Sequence, residues 1–411
     1  MSELTVKEIR ELDSDATLDI LISQKNHLAM LGEEISHLES NFMYRQIREV
    51  VVDNYDLGDL VEVYEIFGGY TSRAFKIVLE KNGERKDWFF RKYMKTKSES
   101  EIMFEHNLLL HARKNGFAMT AVPIATKDGK SYVARTQGKD NYSRQHYFTI
   151  YEFLPGEETY SWTNNEMPRK TYLSLAEVFA EFHTAAFDFD TQGLNGDEPP
   201  ILDYVKEFPD NWLYYIGEFK KAGIKNIFTD YFASHQDYLL NILESLTINE
   251  EDLREFPLIP IQCDLHPGNL KFHDDICVGM FDFEAAKIDI RMFDVCHGLT
   301  NCFASWLPGF EGHIYLDKAE EFLRAYNNKL SGGLPPLVEA EKKYIYEVLQ
   351  LSNMYMIQWC VRMFNGNKTS NPYEFFYYFH RQLGCVRWVE ENKEAIRDLT
   401  RLSRQLKMEE C

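Results

Sequence analysis

No Cys-x-x-Cys pair occurs in this chain; its seven cysteines, from Cys263 to Cys411, are odd in number and scattered. That pattern argues against a disulfide framework or a cysteine-based zinc site and for reduced thiols. No apolar run approaches the roughly 18 residues that a membrane-spanning helix needs. Met1-Ser2-Glu3-Leu4 opens polar and acidic, without a basic start or an apolar stretch behind it, so the expectation is a soluble cytoplasmic protein with no membrane partner. Blocks of Lys and Arg are missing too. With 45 basic against 65 acidic residues the net charge is −20, which repels a nucleic-acid backbone and makes nucleic acid an unexpected partner. Repeats, low-complexity tracts and Pro/Ser-rich linkers are also absent. What is present is core-forming material: 411 residues, 45% hydrophobic and 14% aromatic, enough for two directly packed lobes.

From about Ala16 to Val51, apolar residues recur at Leu28, Leu31, Ile35, Leu38 and Phe42, a spacing of 3 and 4, and then at Ile47, which predicts a helix that packs on the next lobe in preference to pairing with another subunit. From Leu60 to Tyr93 the pattern becomes three strands, Val61–Ile66, Ala74–Leu79 and Trp88–Tyr93, with an Asn82-Gly83 turn between the last two. Ser98 and Glu101 form a capping box that opens a helix ending near Lys114, before Asn115-Gly116. Strands follow at about Ser131–Thr136 and Tyr147–Phe153. Beyond Pro155-Gly156 the character is helical, clearest over Leu173–Ala186, with a strand-like exception over Leu270–Phe283. The expected class is α+β, with a helical extension over 1–55, a small β lobe over 56–154 containing one key helix, and a large, mainly helical lobe over 155–411.

The densest chemistry lies in Gln262-Cys263-Asp264-Leu265-His266-Pro267-Gly268-Asn269, followed by Phe281-Asp282-Phe283-Glu284. Asp264 stands on a Pro/Gly-bent segment after an apolar run, where a carboxylate can project into a cleft. Leu270–Phe272, the turn His273-Asp274-Asp275 and Ile276–Phe281 predict a hairpin that returns Asp282 to the side of Asn269. Singly, each of these residues reads as a turn former or a surface charge. Together, two carboxylates and an amide oxygen can orient a hydroxyl and hold a divalent metal through hard oxygen ligands. His273-Asp274-Asp275 itself reads as a turn.

Asp-Leu-His-Pro-Gly-Asn, with Asp-Phe-Glu beginning thirteen residues after the Asn, resembles the small-molecule kinase superfamily of aminoglycoside phosphotransferases, choline kinases, hydroxylysine kinases and bacterial homoserine kinases. The resemblance covers roughly Leu60–Thr300 and implies a bilobal, protein-kinase-like fold that uses ATP and Mg2+ to phosphorylate a hydroxyl. It makes Asp264 the catalytic base or hydroxyl-orienting residue, Asn269 and Asp282 the Mg2+ ligands, and Asp294 the support of the catalytic loop. It also makes Gly68 and Gly69 the loop over the phosphates, and Glu152, Phe153 and Leu154 the hinge whose backbone meets adenine. Arg91, or failing that Lys92, becomes the phosphate-binding cation paired with Glu105, and strand alternation favours Arg91.

Two departures stand out, Gln262 where the family often has His and Arg91 where it often has Lys, and a planar fork is not equivalent to an ammonium at a phosphate. Glu284 in place of the protein-kinase Gly, with no Ala-Pro-Glu after it, argues against a protein substrate. The leading expectation is a kinase for a small amino alcohol resembling homoserine, hydroxylysine or choline. The alternatives are an aminoglycoside phosphotransferase and a catalytically silent nucleotide-binding module. His183 reads as core or a cap, the aromatic run Tyr373–His380 reads as core in preference to the wall of an acceptor pocket, and oligomeric state is not legible.

Overall fold

The computed structural model describes residues 41–66, 72–94, 96–137, 144–366 and 370–400. The expected helical segment before residue 41 and the loop with Gly68 and Gly69 lie outside them. The chain divides into two compact units: one drawn from the chain up to Tyr93 plus Ile124–Ile150, the other from Met94–Pro123 plus the chain from Tyr151 onward.

The first unit is a helix against a sheet. Helix α1 spans 41–54, and its residues Met43, Ile47, Val50 and Val51 recur on one face at the helical period. They join Phe75, Ile77, Trp88, Phe90, Phe148 and Ile150 in one core. The sheet consists of β1 (Asp59–Ile66), β2 (Arg73–Lys81), β3 (Glu84–Lys92), β4 (Val133–Gln137) and β5 (Arg144–Glu152), in the order β1-β2-β3-β5-β4. The first three strands form an antiparallel meander. Asn82 and Gly83, both at positive φ (53° and 82°), make the tight turn between β2 and β3. β1, β2, β3 and β5 start before the runs read from sequence, because a ladder continues through polar residues once backbone partners are in reach, while β4 starts two residues later than expected.

In the second unit, α2 (Glu99–Lys114) starts on the predicted capping box: the Ser98 hydroxyl accepts the Glu101 amide, and the Glu101 carboxylate accepts the Ser98 amide. It ends at Asn115, with Gly116 at φ 98°. The remaining long helices are α3 (Arg169–Ala186), α4 (Phe208–Lys221), α5 (Ile227–Ser245), α6 (Arg291–Phe303), α7 (Leu316–Lys329), α8 (Ile345–Gly366) and α9 (Pro372–Glu391). Every residue of α6 is buried, and it packs on α8 and α7. A helix buried on every face sits at the centre of its domain, and the polar residues of this one, Asp294 among them, are bonded inside the protein. No helix among the described residues is long and apolar enough to cross a membrane.

Two short ribbons interrupt the helices, and they set the site. β6 (Leu258–Ile261) pairs antiparallel with β9 (Lys287–Ile290), while β7 (Leu270–His273) pairs with β8 (Ile276–Met280). The β7–β8 hairpin is the predicted one, its turn made by Asp274 and Asp275 at positive φ. The β6–β9 pair went unrecognised in the sequence. Its register, Ile261 opposite Lys287, encloses the whole stretch from Gln262 to Ala286.

Candidate active site

Two loops leave these ribbons side by side: 262–269 runs from β6 to β7, and 281–286 runs from β8 to β9. Pairing of Leu270 with Met280 and donation by the Phe281 amide to the Asn269 carbonyl at 3.0 Å bring the loops together at Asn269 and Asp282. The Asn269 amide donates from Nδ2 to the Asp264 carbonyl (3.0 Å) and to Asp264 Oδ2 (2.8 Å). Both Nδ2 hydrogens are thus committed to Asp264, and Oδ1 is the atom left for a cation. Asp264, Asn269 and Asp282, singled out by sequence spacing, therefore share one corner of the second unit.

Cys263 and Asp282 hold φ of 64° and 59°, left-handed conformations that a β-carbon disfavours by about 1 kcal/mol or more. Surrounding bonds hold both loops. Asp294, on the first turn of α6, accepts the Gln262 amide (2.9 Å) and the Cys263 amide (2.8 Å). Gln262 Nε2 donates to the Phe281 carbonyl at 2.7 Å, so the residue in the family's His position cross-braces the two loops. His183, fully buried on α3, bonds Asp294 Oδ2 through Nε2 (3.1 Å) and the Tyr326 hydroxyl through Nδ1 (2.6 Å). Burial lowers its pKa despite the neighbouring carboxylate. The neutral ring therefore donates from Nε2 and accepts from Tyr326. This is the core role expected of His183, directed at Asp294.

Asp264 keeps 40% of its side chain open, yet crowding by protein atoms and then the Asp282 carboxylate raise its pKa well above the usual range. His266 caps the turn by accepting the Gly268 amide at Nδ1 (3.1 Å) and turns Nε2 to Asp264 Oδ2 at 3.8 Å. Burial pushes its pKa down to about 4, so the ring is neutral and its proton lies on Nε2, facing Asp264.

Beyond the Tyr373–His380 run, sequence reasoning missed the aromatic group beside His266. Trp162 stands at the tip of the Ser161–Asn164 turn, its ring centroid 6.1 Å from His266, 4.6 Å from Tyr378, and 5.8 Å from both Trp306 and Trp359. Asn165 fastens that turn to the end of α6 by donating to the Asn301 and Ala304 carbonyls, both at 3.0 Å. Arg381, buried under the Trp306 ring, donates to the same Ala304 carbonyl at 2.9 Å. The rings come from four distant segments, so no local pattern announces them. Of the Tyr373–His380 run, Phe375 and Phe379 are core, while Tyr378 joins this group.

The other sequence-derived candidates are placed as follows. Arg91 belongs to the first unit and is 7% exposed, its guanidinium over the Phe89 and Tyr93 rings. Lys92 leaves the opposite face of β3, where Nζ bonds Gln46 of α1 at 2.9 Å. Glu105 belongs to the second unit and is 4% exposed, accepting from the Tyr151 hydroxyl at 3.0 Å. In the segment expected to meet adenine, the Glu152 amide donates to the Val122 carbonyl at 3.3 Å and its carboxylate pairs with Arg113 at 2.8 Å, while Leu154 packs near Gly279. Phe153 lies under the Lys271 ammonium. No cluster of three or more His, Cys, Asp or Glu fit to hold a metal occurs among the described residues. A magnesium ion shared with nucleotide phosphates needs only one or two protein oxygens, and Asn269 Oδ1 with the Asp282 carboxylate is a hard-oxygen pair that fits.

Comparison with known proteins places this geometry in context. Residues 62–329 match the model of the phosphotransferase enzyme family. The homoserine kinase of Afipia carboxidovorans is 25% identical over 299 residues, covering 71% of this chain and 76% of that protein. Among solved structures, a microcompartment-associated aminopropanol kinase superposes with a TM-score of 0.58 at 14% identity, covering 85% of this chain and 98% of that one. An amicoumacin kinase in complex with AMP-PNP, Ca2+ and its ligand gives a TM-score of 0.56 at 16% identity, covering 89% and 96%. These likenesses establish a protein-kinase-like fold.

Proposed function

The chain belongs to the phosphotransferase enzyme family and transfers phosphate to an alcohol group, and from that premise we propose that its donor is ATP, its metal Mg2+ and its acceptor a small amino alcohol of the homoserine, hydroxylysine or choline kind. The observation that carries this reading is the convergence of Asp264, Asn269 and Asp282 on two loops enclosed by the β6–β9 pair.

Asp264 orients the acceptor hydroxyl and takes its proton. Positioning of a carboxylate against the reacting hydroxyl contributes about 10²–10⁴-fold. Asn269 holds that carboxylate, and its amide oxygen together with the Asp282 carboxylate of the other loop would hold the metal. When bound, Mg2+ neutralises charge on the transferring phosphate. Arg91 is the residue of the first unit suited to serve the phosphates as a cation. The backbone of Glu152–Leu154 meets the adenine.

On the acceptor side, the Trp162 group beside His266 supports an ammonium-bearing substrate, because aromatic faces attract cations. Incubation with Mg-ATP and a panel of amino alcohols, sugars and aminoglycosides, read by mass spectrometry, tests the proposal. A phosphorylated amino alcohol is the expected product. Phosphorylation confined to aminoglycosides would replace the acceptor class, and the absence of any phosphorylated product would overturn the reading.

A further inference from the structure

Lys97 is a buried lysine outside every motif. It lies in the second unit directly before Ser98, the cap of α2, and only 4% of its side chain is exposed. Burying an ammonium is costly unless it is bonded and paired. Lys97 Nζ donates to the Glu284 carbonyl at 3.0 Å, two residues past Asp282, and lies 3.2 Å from Asp197 Oδ2 and 4.0 Å from Glu284 Oε1. Burial works to raise the Asp197 carboxyl, and the Lys97 charge, hydrogen bonds with Glu101 and Lys97 and the Arg362 charge together outweigh it, leaving the pKa below the ordinary range.

Asp197 belongs to a strap, residues 196–201, that is fastened along the same loop. Lys287 donates to the Pro199 carbonyl (2.9 Å), and the Ile201 amide donates to Asp289 (2.7 Å). Gly196 passes so close that an added Cβ would stand 2.3 Å from the Ala286 carbonyl oxygen. The loop and the strand that follows it are thus gripped at residues 284, 286, 287 and 289. Asp282 itself occupies the left-handed conformation, which only its surroundings can maintain.

We infer that Lys97, through the Glu284 carbonyl and Asp197, is a positioning residue that sets the backbone of the 282–286 loop and so aims the Asp282 carboxylate at the metal. The inference rests on the assignment of Asp282 as a metal ligand. A lysine that merely stabilised the fold would change melting temperature without changing the metal affinity of the folded protein. A positioning residue changes that affinity, and loss of a group that orients a ligand typically weakens metal binding about 10- to 100-fold.

The test uses the full chain with AMP-PNP and Mn2+, read by electron paramagnetic resonance as free Mn2+ and so independent of turnover. Lys97→Met is expected to weaken Mn2+ binding by about tenfold or more. Lys97→Arg, which keeps the charge and the donors, should recover to within about threefold of wild type, and Asp197→Asn should fall between. Asp282→Asn runs alongside as the reference. If Asp282→Asn binds Mn2+ as wild type does, the ligand assignment has failed and the inference falls with it. If Asp282→Asn weakens binding while folded Lys97→Met does not, the inference alone is overturned. Should Lys97→Met not fold, Asp197→Asn decides, and unchanged Mn2+ affinity there refutes the positioning role.

Discussion

Asp294 Oδ1 accepts the Cys263 amide at 2.8 Å, tying the first turn of α6 to the residue before Asp264, in a backbone conformation at φ 64° that Cys263 would not adopt unaided. The second carboxylate oxygen takes the Gln262 amide and His183 Nε2, so every direction around Asp294 presents a donor. Asp294→Asn would set an amide NH2 against at least one of them. A buried donor left without an acceptor costs about 1–3 kcal/mol, and denaturant unfolding should show a loss of that size. A midpoint equal to wild type would mean that Asp294 does not hold the loop.

Much of this was legible in the sequence wherever a feature is local. Asn82-Gly83, the Ser98/Glu101 capping box and the Asp274-Asp275 turn each specify their conformation within a few residues, and the spacing of Asp264, Asn269 and Asp282 encodes the hairpin between them. The β6–β9 pair was not legible: four residues pair with four across a gap that includes another hairpin, and neither run carries its own signal. Trp162 and Lys97 were missed for a related reason. A lone Trp in a loop and a lone Lys before a helix read as surface until distant segments close over them.

Arg91 and Lys92 should separate cleanly by experiment. Lys92 bonds Gln46 and lies 5.8 Å from the Phe148 ring centroid, so it serves the packing of α1 on the sheet. Lys92→Ala should lower stability while changing kcat and the ATP KM by less than about threefold, a difference of only ~0.65 kcal/mol. Arg91→Ala should raise KM and lower kcat together. Kinetic sensitivity at Lys92 with none at Arg91 would reverse the assignment.

Stability should fall in mild acid through histidines buried in the neutral form. Burial lowers the His183 pKa, and pushes that of His297 down from 6.5 to about 4. Each such group binds its proton more readily when unfolded, so the unfolded chain takes up protons as pH drops below about 6.5 and folding is penalised. For His297 the penalty grows between pH 6.5 and about 4, by roughly 1.4 kcal/mol per pH unit. Replacing His297 by Asn should lower the pH slope of unfolding free energy by about one proton in that window. An unchanged slope would show that His297 is already protonated in the folded state.

Asp282→Asn should reduce the gain in nucleotide affinity that Mg2+ confers, since a neutral amide is the weaker ligand for a hard cation. Calorimetric titration of ATP with and without Mg2+ measures this gain directly. An equal Mg2+ effect in both proteins would remove Asp282 from the metal site.

The central claim is that Asp264 acts on the acceptor hydroxyl, and comparing ADP release by Asp264→Ala with wild type, at saturating Mg-ATP and acceptor, tests it most directly. The account predicts a kcat lower by at least ~10²-fold, with nucleotide affinity retained because Asp264 contributes to the transferring step and not to holding ATP. Near-normal turnover by the variant would contradict it.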